Sequence, residues 1–191
     1  NASSFKSYNL NILPMNLDKN NLDFESINDT LKKYKGKIKF VYITPSYNNP
    51  TGIVLSPEDR FKFYNIMKEN NIALEKVIVH APYIVNLANF NNFDFSVSFL
   101  INEVERCSTL GIKYLVLHPG SAVNCSREEA INNISKGLNL ILDNDYNVTI
   151  LLETMAGKGN EMGKTFEELK AIIDKIKHQD KIGVCIDTCH L

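Results

Sequence analysis

From residue 76 onward, short unbroken apolar runs alternate with longer stretches whose apolar positions recur at helical spacing. The runs are Val77-Ile78-Val79, Tyr114-Leu115-Val116-Leu117, Val148-Thr149-Ile150-Leu151-Leu152 and Ile182-Gly183-Val184-Cys185-Ile186. The stretches between them predict helices over about 95–110, 127–143 and 165–177. Apolar runs without alternation suit strands covered on both faces, and a helix after each strand is the crossover that parallel neighbours require. No hairpin signal interrupts the series. The pattern therefore predicts an α/β chain with about four parallel strands and three helices over this region.

What closes each run carries the chemistry. The runs end at His80, His118, Glu153 and Asp187, in steps of 38, 35 and 34 residues, so each step is one βα unit. In an α/β barrel the C-terminal ends of the strands share one face, and four metal-binding side chain types at four successive ends would point into one site. His190 follows Asp187 by three residues and joins the set, whereas His178 lies at a polar helix end and is expected to be solvated. Imidazole and carboxylate without thiolate suit zinc or a related divalent ion at a catalytic site. His80, His118 and Glu153 would hold one ion, and Asp187 would begin a second site if Glu153 bridges. Paired metals favour in-line displacement at phosphorus, although sugar isomerases also place metals at a barrel mouth.

Gly157 to Thr165 imitates a phosphate-binding loop but fails it, because the position six before Lys164 is Lys158 rather than glycine. The stretch is expected to form a loop over the site, ending in a capping box of Thr165 and Glu168.

Composition narrows the classes. The chain has 191 residues, 44% of them hydrophobic, a net charge of −1 and no Trp, which suits one substantial core. It carries no apolar run long enough to span a membrane and no secretory leader, so it is expected to be soluble and cytoplasmic. It starts without Met and stops directly after a strand, as a fragment would. Four cysteines, Cys107, Cys125, Cys185 and Cys189, are expected to be reduced thiols packed as small hydrophobes. The 24 asparagines make the N-x-[ST] matches chance occurrences.

Four segments carry a family resemblance: His80-Ala81-Pro82-Tyr83-Ile84-Val85-Asn86-Leu87, Leu117-His118-Pro119-Gly120-Ser121, Leu152-Glu153-Thr154-Met155-Ala156-Gly157-Lys158-Gly159 and Val184-Cys185-Ile186-Asp187-Thr188-Cys189-His190. In order and spacing they resemble endonuclease IV over about 70–191. The resemblance implies a partial TIM-type (β/α) barrel and a zinc-dependent endonuclease that cuts the DNA phosphodiester 5′ to an abasic site, as in base excision repair. It implies His80 and His118 on a first zinc, Glu153 as the bridging and catalytic carboxylate, Asp187 on a second zinc and His190 on a third. It also implies Tyr83 and Ile84 as residues that enter the DNA minor groove. Abasic double-stranded DNA is the implied partner, with no membrane and no protein partner. The family's remaining ligands lie on strands beyond Leu191, so only the first zinc site could be complete within these residues.

Residues 1 to about 69 read differently. Lys39 to Gly52 holds a strand followed by Asn49-Pro50-Thr51-Gly52, and Leu55-Ser56-Pro57-Glu58 starts a capped helix. The region, with Leu22 to Ile27 upstream, resembles fold-type I pyridoxal-phosphate aminotransferases, in which the residue matching Asn49 contacts the cofactor. The Asp and the Schiff-base Lys of that family have no counterpart before His80, so pyridoxal catalysis is not expected. The expected organisation is an aminotransferase-like α/β fragment over 1–72, joined within 67–76 to an endonuclease IV-like partial barrel over 73–191. A pyridoxal enzyme fragment and a non-catalytic chimeric fragment are the alternatives.

Overall fold

The computed structural model describes residues 11–19, 21–48, 51–188 and 190. A two-residue antiparallel pair, β1 (Leu17–Asp18) and β2 (Asn21–Leu22), leads into helix α1 (Phe24–Lys33). Strand β3 (Val41–Ile43), helix α2 (Pro57–Glu69) and strand β4 (Val77–His80) follow. Three further units complete the order: α3 (Phe93–Thr109) with β5 (Tyr114–Leu117), α4 (Arg127–Leu142) with β6 (Thr149–Glu153), and α5 (Phe166–Ile173) with β7 (Ile182–Cys185).

Strands β3 to β7 form one parallel sheet in sequence order. Unbroken order is the arrangement of a barrel wall, since a doubly wound sheet reverses its order at a switch point. The helices cover its outer side, where Leu100, Leu115, Ile134, Leu138, Ile150 and Leu152 are fully buried. Burial of each such side chain is worth about 1.5–3 kcal/mol relative to exposure.

The sheet begins earlier than the sequence reading placed it. Val41, Tyr42 and Ile43 pair in parallel register with Val77, Ile78 and Val79, so the sheet has five strands and runs across the expected boundary between 72 and 73. The strand expected within 39–52 does form, at Val41–Ile43, but it joins this sheet rather than an aminotransferase-like one. Asn49 lies outside the described residues. On either side of it, the Asn48 N–H donates to the Ile53 carbonyl at 3.0 Å and the Thr51 hydroxyl donates to the Asn48 side chain at 3.0 Å.

Helix starts follow their caps. Ser126 and Glu129 form a full capping box on α4, in which the Ser126 Oγ accepts the Glu129 N–H at 3.2 Å and Glu129 Oε2 accepts the Ser126 N–H at 2.8 Å. Ser126→Ala is expected to cost about 1 kcal/mol, read as a lower urea midpoint with an unchanged slope. The box expected at Thr165 is only half formed. Thr165 Oγ1 accepts the Glu168 N–H at 3.3 Å, but Glu168 Oε2 accepts from the Gly163 N–H at 3.0 Å and Oε1 pairs with Arg127. His178 is not simply solvated, since its Nε2 lies 3.0 Å from Asp143 Oδ1.

Candidate metal centre

Three adjacent parallel strands deliver the tightest group of side chains. His80 ends β4, His118 directly follows β5 and Glu153 ends β6, so all three emerge on the C-terminal face of the sheet. Glu153 Oε2 lies 2.8 Å from His80 Nε2 and 3.4 Å from His118 Nε2, and the two imidazoles stand nearly perpendicular with centroids 5.0 Å apart. His80 and Glu153 are both buried.

The His80 contacts fix its chemistry. Its Nδ1 is 2.6 Å from the Ala81 carbonyl, which can only accept, so Nδ1 carries a proton. Nε2 then faces a carboxylate oxygen, and a second proton or a cation must stand between them. Metal-binding histidines commonly give the other ring N–H to a backbone carbonyl in this way. Donor atoms around a tetrahedral zinc at about 2.0–2.1 Å lie about 3.3 Å apart, close to the spacings found here. The donor set therefore fits a divalent ion.

A second group shares the same carboxylate. Glu153, Asp187 and His190 place ligand atoms within 4.8 Å of one another, as do His80, His118 and Glu153. Within the second group the contacts are longer, with His190 Nδ1 lying 3.7 Å from both Glu153 Oε1 and Asp187 Oδ2; because that nitrogen faces a carbonyl, Nε2 is the ring atom left for a metal. Glu153 thus turns Oε2 to the His80 and His118 pair and Oε1 toward His190. Burial pushes its carboxyl up, but hydrogen bonds and charge from His118 and His80 outweigh this and hold it well below the usual carboxylate range.

Sequence reasoning missed Thr154 and Tyr42. Thr154, buried beside Glu153, accepts the Asp187 N–H on Oγ1 at 2.9 Å, and its carbonyl accepts His190 Nδ1–H at 2.7 Å, so it orients both ligands of the second group. Tyr42 stands on β3 with its ring 5.8 Å from that of His80. Burial pushes its phenol up to about 12, with the Glu153 charge adding, so it stays neutral. A polar residue beside a strand-end ligand was the only sequence signal for Thr154, and the strand position of Tyr42 the only one for that residue.

Tyr83 and Ile84 sit in the loop after β4, 63% and 45% exposed, with the Tyr83 ring edge-on to His118 at 4.8 Å. Among the described residues the thiols stay out of the ligand set. Cys107 is buried and Cys125 and Cys185 are half-buried, all three unpaired by disulfides. Burial, then the Glu153 and Asp187 charges, pushes Cys185 up to about 11, against the thiolate that a metal requires. Cys189 lies outside the described residues.

Comparison with known proteins shows the family and the fold. A family model described as a xylose isomerase-like TIM barrel matches residues 38–191. A probable endonuclease 4 of Acholeplasma laidlawii is 46% identical over 184 residues, which are 93% of this chain and 61% of that protein. The crystal structure of endonuclease IV from Thermus thermophilus superposes with a TM-score of 0.61 at 25% identity, over 91% of this chain and 60% of that one. D-psicose 3-epimerase from Clostridium cellulolyticum superposes with a TM-score of 0.69 at 14% identity and shares the fold alone. The chain therefore spans about three fifths of the length of these relatives. The family match begins at residue 38, upstream of the expected junction, and the aminotransferase resemblance finds no support among these proteins.

Proposed function

The chain belongs to the xylose isomerase-like TIM barrel family, and from that premise we propose that it serves the zinc-dependent hydrolysis of DNA phosphodiesters 5′ to abasic sites. The carrying observation is Glu153, one carboxylate shared by two ligand groups at the C-terminal face. A site for one metal has no need of such sharing, whereas two ions a few Å apart are the usual arrangement for displacement at phosphorus. The names of the relatives, endonuclease 4 and endonuclease IV, point the same way.

His80, His118 and Glu153 would hold the first zinc, with Glu153 bridging to a second zinc on Asp187 and His190 serving a third. Divalent ions there would supply Lewis-acid stabilisation of charge at phosphorus. The chain's own residues do the rest. The Ala81 and Thr154 carbonyls hold the His80 and His190 rings in one tautomer, and the Thr154 hydroxyl fixes the backbone at Asp187. Tyr83 and Ile84 present an exposed apolar pair beside the ligands, suited to enter a minor groove where a base is missing. With a net charge of −1, affinity for DNA would come from the bound cations and this insertion rather than from a basic surface. No described helix is long and apolar enough to cross a membrane, and we place the protein in the cytoplasm, where it would meet DNA.

The test is a labelled duplex carrying one tetrahydrofuran residue, incubated with the protein and Zn(II). The expected product is a single cut immediately 5′ of the lesion, absent with EDTA and absent on undamaged duplex. Cutting at random positions, or epimerisation of a ketohexose with no cutting, would overturn the reading.

A further inference from the structure

Two loops of the site are joined by one side chain. In the loop after β4, the Asn86 carboxamide meets the backbone of Ser121, in the loop after β5, on both its polar groups. Asn86 Oδ1 accepts the Ser121 N–H at 3.0 Å, and Asn86 Nδ2 donates to the Ser121 carbonyl at 3.1 Å. The same Oδ1 accepts the Ala88 N–H at 3.1 Å, while the Asn86 backbone N–H donates to Ser96 Oγ on α3 at 3.0 Å. Two loops side by side after parallel strands have no ladder of their own, and this amide supplies the pairing that a strand would.

The fit is close. Gly120 has φ +122°, and a Cβ there would fall 2.5 Å from Asn86 Oδ1, so the carboxamide occupies the space that any other residue at 120 would need. The clamped loop carries Tyr83 and Ile84 three and two positions before Asn86, and the other loop starts at His118, whose ring meets Tyr83. The second loop is tied in turn to the third. Met162 N–H donates to the Gly120 carbonyl at 2.9 Å and Ala122 N–H to the Asn160 carbonyl at 2.8 Å.

We infer that Asn86 is a positioning residue, clamping the loop after β4 to the loop after β5 and so setting where Tyr83 and Ile84 stand beside His80, His118 and Glu153. It touches none of the three ligands. Its kinetic consequence rests on the proposed function, but the clamp itself does not.

Asn86→Ala removes all three contacts, and Asn86→Asp keeps the two accepted bonds while losing the donated one. Tyr83 is an exposed chymotrypsin site, and cleavage after it is expected to be about tenfold faster or more in Asn86→Ala, with Asn86→Asp between the two. Bound zinc is expected to be unchanged in both. On the abasic duplex, KM is expected to rise about tenfold while kcat falls less than about threefold, because binding is lost and the ligands are not. Unchanged proteolysis, a fall in bound zinc, or a fall in kcat with KM unaltered would each overturn the assignment. If the wild-type protein cuts no abasic DNA, the proposed function fails and proteolysis alone decides the clamp. If Asn86→Ala does not fold, the same measurements on Asn86→Asp decide it.

Discussion

Replacing Glu153 with Gln is expected to empty both ligand groups at once and to lower strand cleavage by at least about a thousandfold, since losing an anion that would touch the metal costs more than the 10–100-fold of a partner one bond further out. No other described residue belongs to both groups. The amide keeps the size of the carboxylate but loses its charge, and it turns an NH₂, which cannot bind metal, toward either the His80 and His118 pair or His190. By contrast, His118→Ala removes one of three donors from the tighter group and leaves Glu153, Asp187 and His190 in place. It is expected to abolish zinc on the His80 side. Zinc retained per chain after dialysis reads both variants directly, and a Glu153→Gln protein that kept its metal would sink the assignment.

The same substitution has a signature without metal. The folded-state carboxyl of Glu153 is held below its ordinary value of 4.5 by His118 and His80 despite burial. A group whose folded pKa is depressed contributes stability above its unfolded pKa and loses it as pH falls through the folded value. In EDTA, the stability advantage of the wild type over Glu153→Gln is therefore full above about pH 4.5 and shrinks progressively in more acid solution. A difference that grows with acid would show that the pairing with His80 and His118 does not form in solution.

Much of this site was legible because its signals are local and repeated. A strand buried on both faces reads as an apolar run, and the first polar residue closing the run, last in the strand at His80 and Glu153 and one or two residues beyond it at His118 and Asp187, reads as the one at the face where loops gather. His80, His118, Glu153 and Asp187 each satisfy that rule, so four weak signals at one period became a strong one. Helices α3 and α4 were legible to within a residue or two for the same reason. What escaped depends on contacts between distant segments. Thr154 and Asn86 work by satisfying backbone groups, a role that any Thr or Asn could play and that no spacing marks. Tyr42 escaped although its strand was expected, because the turn after that strand resembled another family and so placed it in a different sheet. At Thr165 the local pattern for a capping box is present, yet Arg127 and the Gly163 N–H compete for Glu168 and win. Tertiary partners override local chemistry wherever a charged side chain can reach a better one.

Glu103→Ala is expected to destabilise the fold by about 3–5 kcal/mol, the usual cost of stripping one partner from a buried ion pair. Glu103 is only 1% exposed on α3, and its carboxylate gathers the segment after β3. Oε1 accepts from the Ser46 hydroxyl at 3.0 Å and Oε2 lies 3.5 Å from Arg60 on α2. Arg60 in turn donates to Ser46 Oγ at 2.7 Å and to the Leu55 carbonyl at 3.1 Å, closing the segment on itself. Without the carboxylate, the Arg60 guanidinium, with its side chain 11% exposed, keeps its charge and loses its anion, and Ser46 loses its acceptor. Arg106 also pairs with Glu103, but its half-exposed side chain can turn to water and adds little to the loss. Removing both charges, as in Glu103→Leu with Arg60→Met, is expected to cost less than Glu103→Ala alone, because no buried ion is then left unpaired. Urea unfolding of the three proteins measures this, and a loss below about 1 kcal/mol for Glu103→Ala would show that water replaces the carboxylate. Zinc stoichiometry is expected to survive in the folded fraction of all three. Glu103 holds the outer strand β3 in place through its loop, whereas His80 and Glu153 end β4 and β6 and His118 directly follows β5, strands whose ladders do not involve it.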